Sequence, residues 1–190
     1  MRPPAWLPNA VSCLRFLLLP AWILAVYGIE PFGPAPDPWA GASILLVLGA
    51  TDVVDGWIAR RFGLTSEMGA VLDAAADKLA QFLVFSCLAF APPPGFYAVP
   101  VAFVAMLFLR DLTMIIGIAW IHRRRHRYQV VHETHGKVQT VALFAFMLAL
   151  HAPASPVHTA LLLGVTAAVL LSTALYVRRG VAVLRGIDLA

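Results

Sequence analysis

Apolar side chains dominate six stretches of the chain, over Val11–Ile29, Trp39–Trp57, Ala70–Ala91, Tyr97–Ile121, Val138–Ala152 and His158–Val177. Most approach the roughly 20 residues that a helix needs to cross a bilayer. The pattern therefore predicts an all-α membrane protein of six transmembrane helices. The fifth stretch is the shortest and fits if its helix begins a few residues earlier or runs obliquely to its neighbours.

The segments between these stretches alternate in character. "EPFGPAPDP" (30–38), "PPPG" (92–95) and "APASP" (152–156) are rich in residues that end helices and carry no Lys or Arg. Arg2, Arg60, Arg61, the run "HRRRHR" (122–127), Lys137, Arg178, Arg179 and Arg185 fall on the other side of the alternation. Basic loops stay on the cytoplasmic side, which places both termini there and turns the Pro-rich loops outward.

Composition agrees with this layout. Of 190 residues, 61% are hydrophobic and 13% charged, and the mean hydropathy is +0.81. Soluble domains are about 45–50% apolar. The net charge of +4 thus describes a sided membrane protein whose basic loops attract anionic head groups, and it does not describe a nucleic-acid binder. Arg2 followed by "FLLLPAWILAVYG" has the outline of a signal peptide, but Arg15 directly precedes the apolar core and no small-residue cleavage site follows. Cys13 and Cys87 lie in different stretches without metal-like spacing and read as small core residues. With no repeat or low-complexity linker, residues 1–190 form a single expected domain.

Against this background "DVVDGWIARRFGLTSEMGAVLDAAADKLA" (52–80) stands out. It puts four aspartates at membrane depth, each costing about 2.5–3.5 kcal/mol on insertion scales and less near the interface. Asp52 and Asp55 are three residues apart and Asp73 and Asp77 four apart, so each pair shares a helix face. The short connection makes the two helices antiparallel neighbours and brings the acidic faces together at the cytoplasmic surface. Converging carboxylates repel one another and take up protons unless cations hold them ionised. Their hard oxygen atoms suit two divalent cations, Mg²⁺ or Mn²⁺, the usual clamp of phosphoryl chemistry.

The neighbouring residues are compatible with such a clamp. Gly56 and Ala59 let a bulky ligand approach the backbone, Arg60 offers a fork of donors to phosphate, and Gly69 leaves room before the third helix. The same small residues also serve close helix packing, and Arg60 and Arg61 also serve as topology determinants.

Asp52, Asp55, Gly56, Ala59, Arg60, Gly69, Asp73 and Asp77 reproduce D-x2-D-G-x2-A-R-x8-G-x3-D-x3-D without a departure. This stretch resembles the signature of the CDP-alcohol phosphatidyltransferases, and the six-helix layout around it resembles the same family. The resemblance implies transfer of a phosphatidyl group from CDP-diacylglycerol to an alcohol, with release of CMP. It also implies that Asp52, Asp55, Asp73 and Asp77 hold the two metal ions and that Asp77 acts as the general base. Gly56, Ala59, Arg60 and Gly69 would then line the cytidine diphosphate pocket. A homodimer is implied by resemblance alone.

The acceptor must be read elsewhere. "GAVLDAAADKLA" (69–80), "PNAVSCLR" (8–15), "RDLTMIIG" (110–117) and "GKVQT" (136–140) resemble segments of the phosphatidylglycerophosphate synthases and cardiolipin synthases, with Ala74 in place of a usual proline and Ser12 in place of a threonine. Arg110 and Lys137 lie in or beside apolar stretches, where they are candidates to bind an acceptor phosphate. Each has a plainer reading: Arg110 as a buried pair with Asp111 or a motif aspartate, Lys137 as an interfacial anchor. Glycerol 3-phosphate is the leading acceptor and phosphatidylglycerol the alternative; the acceptors of other CDP-alcohol phosphotransferases, such as inositol phosphate, serine or choline, are less favoured because "ADKL" resembles the glycerol branch. A cation-coupled transporter would place its acids nearer mid-membrane and along a path. An idle scaffold would more plausibly have lost an aspartate. The expected home is a bacterial cytoplasmic membrane with the site on the cytoplasmic side.

Overall fold

Each of the six apolar stretches lies largely within a helix, and the second, third and sixth helices run on past the apolar residues into polar sequence. The computed structural model describes residues 7–31, 35–62, 67–124 and 134–184, and among these there is no strand. The elements are α1 (Leu7–Tyr27), α2 (Pro38–Phe62), α3 (Glu67–Phe90), α4 (Val101–Arg124), α5 (Thr134–Ala149) and α6 (Pro156–Leu184). Hydropathy fades at the polar ends of α2, α3 and α6, but backbone hydrogen bonding does not depend on it, so the helices continue. The fifth helix starts before its apolar stretch and ends three residues earlier, at Ala149.

Among the described residues two helical segments are long and apolar enough to cross a membrane, Val101–Trp120 and Pro156–Ala182. Leu17–Tyr27, Pro38–Val54 and Val138–Ala149 are shorter apolar helices. On α4, Phe108, Leu109, Ile115, Ile116 and Trp120 are all exposed. A helix that turns large apolar side chains outward along its length suits a lipid environment rather than water.

The chain divides into two compact units. The first comprises residues 1–98 and 147–154, the second residues 99–146 and 155–190. In the second unit α4 packs with α6, and Phe103 of α4 meets Phe146 of α5 edge-on at 5.9 Å.

In the first unit α1 packs against both α2 and α3. Leu19, Leu48 and Ala80 form a buried cluster from the three helices, flanked by Leu18 and Leu83. The four residues between α2 and α3 reach at most about 17 Å, far less than the roughly 37 Å length of α2. Two helices that share a core cluster across so short a connection must be antiparallel.

One end of this unit gathers its connections. Helix α1 closes with a Schellman motif: the Ile29 N–H donates to the Leu24 carbonyl at 2.8 Å and the Gly28 N–H to the Ala25 carbonyl at 3.3 Å. Gly28 takes φ 66°, and a Cβ there would collide with the backbone of Ala35, so only glycine suits the position. Asp37 then caps α2, its carboxylate accepting from the Ala40 N–H at 2.9 Å. The Tyr27 hydroxyl donates to the Ala91 carbonyl at 2.8 Å, and the Ala154 N–H donates to the Gly95 carbonyl at 3.3 Å. The three connections free of Lys and Arg therefore meet at the same end.

A buried polar contact lies beneath them. The Trp22 indole N–H donates to His151 Nε2 at 2.9 Å. A ring nitrogen that accepts carries no proton, so His151 is neutral and its Nδ1–H donates to the Met147 carbonyl at 2.9 Å. Phe96 meets the imidazole edge-on at 5.7 Å. At Gly41 a Cβ would lie 2.5 Å from Val26 Cγ2 and 2.9 Å from His151 Cδ2, so α2 approaches closely because that residue has no side chain.

Candidate functional site

The opposite end of the first unit carries the acidic motif. Asp52 lies ten residues before the end of α2 (52 to 62) and Asp77 ten residues after the start of α3 (67 to 77). In an antiparallel pair joined by a short connection, equal distances from the joined ends put both residues at one level. That level is about 15 Å from the joined ends at 1.5 Å per residue. Asp52 and Asp77 thus lie ten residues inside their helices, against five and seven residues from the ends of the apolar stretches at Trp57 and Ala70.

Packing fixes the same level independently. Asp52 is one turn beyond Leu48, and Asp77 is one turn before Ala80. Because Leu48 and Ala80 share the buried cluster, both aspartates lie directly beyond it and on the same side. Neither is fully buried, and both interact with neighbouring groups. Gly56, also half-buried, follows Asp52 by one turn on that helix face.

Asp55, Ala59 and Arg60 fall in α2, Gly69 and Asp73 in α3, and Lys137 in α5. Their side chains lie outside the described residues. In the sequence Asp55 follows Asp52 by three residues, and Asp73 precedes Asp77 by four. Among the described residues no three His, Cys, Asp or Glu side chains gather closely enough to hold a metal ion. The donor chemistry nevertheless fits: carboxylate oxygens at one level of a helix pair are what Mg²⁺ and Mn²⁺ take as ligands.

Arg110 belongs to the second unit. Its Nη1 donates to Asp111 Oδ1 at 2.6 Å, and its Nη2 donates to the side-chain oxygen of Gln139 at 3.1 Å. Asp111, one of the partners foreseen for Arg110, is observed. Gln139 had no forewarning, because a lone amide between Lys137 and Thr140 reads as a spacer. It is 3% exposed, and only its contact with Arg110 reveals a purpose.

Comparison with known proteins decides what these features belong to. Residues 5–177 match the family model described as CDP-alcohol phosphatidyltransferase. The chain belongs to the CDP-alcohol phosphatidyltransferase family. That membership puts it among the membrane transferases of phospholipid biosynthesis. A CDP-diacylglycerol--glycerol-3-phosphate 3-phosphatidyltransferase of Pseudomonas fluorescens is 40% identical over 76 residues, covering 38% of this chain and 35% of that protein. One of the same description from Yersinia pestis (strain Pestoides F) is 30% identical over 144 residues, 76% of this chain and 75% of its own length. A cardiolipin synthase (CMP-forming) of Streptomyces coelicolor is 29% identical over 122 residues, 64% of this chain and 53% of that protein. The chain therefore spans between 17% and 75% of the length of the curated relatives it matches.

Proposed function

We propose that the chain is an integral-membrane phosphatidyltransferase that moves the phosphatidyl group of CDP-diacylglycerol to glycerol 3-phosphate, with release of CMP. The observation that carries this reading is the placement of Asp52 and Asp77 at one level of an antiparallel helix pair, within a motif that departs from the family signature at no position. The names of the Pseudomonas and Yersinia relatives favour glycerol 3-phosphate. The Streptomyces relative keeps phosphatidylglycerol as the second reading.

In this mechanism Asp52, Asp55, Asp73 and Asp77 hold two divalent cations, Mg²⁺ or Mn²⁺. Bound there, the ions supply positive charge against the diphosphate oxygens. Gly56, Ala59 and Gly69 admit the cytidine diphosphate close to the backbone, and Arg60 binds it through phosphate. Asp77 takes the proton from the acceptor hydroxyl as its oxygen forms a bond to the lipid-linked phosphorus, and the bond from that phosphorus to the CMP oxygen breaks. The diacylglycerol tails stay in the lipid while the helix pair orients the reacting groups. Arg110 and Lys137 bind the acceptor's phosphate.

The chain is read as one domain of six membrane-crossing helices, with both termini and the acidic end on the cytoplasmic side of a bacterial inner membrane, assembled as a homodimer. The meeting of the three connections free of Lys and Arg at the end opposite the acids supports this sidedness. The family match across residues 5–177 supports the single domain.

The test is to incubate the purified protein in lipid with CDP-diacylglycerol and a divalent ion, adding one alcohol at a time and following CMP and the lipid product. Phosphatidylglycerophosphate is expected with glycerol 3-phosphate. Product with phosphatidylglycerol alone would transfer the assignment to cardiolipin synthesis, and no product with any acceptor would overturn the enzymatic reading.

A further inference from the structure

We infer that Gln139 is a positioning residue for the acceptor, acting by fixing the plane of the Arg110 guanidinium. The inference rests on the reading of Arg110 as a ligand of the acceptor's phosphate.

Gln139 is almost wholly buried, near the polar start of a helix that is apolar from Val141 to Ala149. A leucine would fill similar space without the cost of desolvating an amide, so the position calls for the amide itself. Its oxygen accepts from Arg110 Nη2 at 3.1 Å, while Asp111 accepts from Nη1 at 2.6 Å. The two acceptors come from α5 and α4, and two anchors on separate helices stop a planar guanidinium from rolling about its stem. Arg110 Nε is buried with no hydrogen-bond acceptor among the described residues.

A guanidinium has five N–H donors. With one committed to Asp111 and one to Gln139, three N–H donors remain, the Nε–H among them, to meet two oxygens of a phosphate. Asp111 alone would leave those donors free to swing. Gln139 sets their direction before the acceptor arrives, which lowers the ordering cost of binding.

A double-mutant cycle on the full-length protein in lipid tests this. Gln139→Leu is expected to raise the acceptor KM about tenfold, the size of one hydrogen bond to a charged group, and to leave the KM for CDP-diacylglycerol within about twofold. In an Arg110→Ala background the same substitution should add nothing. Arg110→Lys, which keeps the charge and loses the fork, serves as a second background should Arg110→Ala fail to fold. An unchanged acceptor KM in Gln139→Leu, or an equal penalty in both backgrounds, overturns the inference and leaves the role of Arg110 intact. Arg110 variants that fold and bind the acceptor normally overturn the underlying reading as well.

Discussion

The two ends of the first unit treat polar groups in opposite ways. Beneath the connections, Trp22 and His151 use every polar side-chain atom on each other and on the Met147 carbonyl, and the histidine stays neutral. At the other end, Asp52 and Asp77 are acidic side chains left partly exposed beyond the Leu19, Leu48 and Ala80 cluster. A closed neutral network holds helices together, whereas a pair of accessible carboxylates costs stability and repays it in chemistry only when cations bind. Architecture and reactivity are separated along α2 by about 16 Å, the rise between Gly41 and Asp52.

That separation can be broken by experiment. The largest effect is expected at the acidic end: Asp52→Asn, or removal of divalent ions with a chelator, should reduce CMP release at least about a hundredfold. The unfolding temperature of the Asp52→Asn protein in lipid should stay close to that of the parent. A variant that loses folding in proportion to turnover would make the aspartate architectural. At the opposite end Gly41→Ala forces a methyl group against Val26 and His151 and should cost about 1–3 kcal/mol of stability, read as a lowered unfolding temperature with turnover per folded molecule preserved. Trp22→Phe leaves His151 Nε2 without its buried donor. Its cost is also about 1–3 kcal/mol, at the lower end because phenylalanine keeps most of the packing. Loss of turnover without loss of stability in either variant would erase the contrast.

Much of the acidic end was legible because its signals are local. Four aspartates at helical spacing inside apolar sequence are improbable on cost alone, and a common level for Asp52 and Asp77 across a short connection needs only helix geometry. Their depth was not legible, since hydropathy marks where apolar residues stop and α2 and α3 continue past that point. The Trp22 and His151 contact could not be read at all, because it joins residues 129 apart in the sequence and neither has a spacing that marks it. The pair of Arg110 with Asp111 was foreseeable from adjacency, but its second anchor at Gln139 depends on how α4 and α5 meet. Asp55 and Asp73 were assigned from spacing and resemblance, and Lys137 from resemblance and its place beside an apolar stretch; the side chains of all three lie outside the described residues.

The most direct measurement is acceptor-dependent CMP release by Asp77→Asn in lipid with saturating Mg²⁺ or Mn²⁺. An asparagine keeps the size of the side chain and removes its ability to take a proton. The expected result is turnover lowered by at least about a hundredfold in a protein that purifies and unfolds like the parent. Near-normal turnover in that variant would contradict the assignment of Asp77 as the base that activates the attacking alcohol.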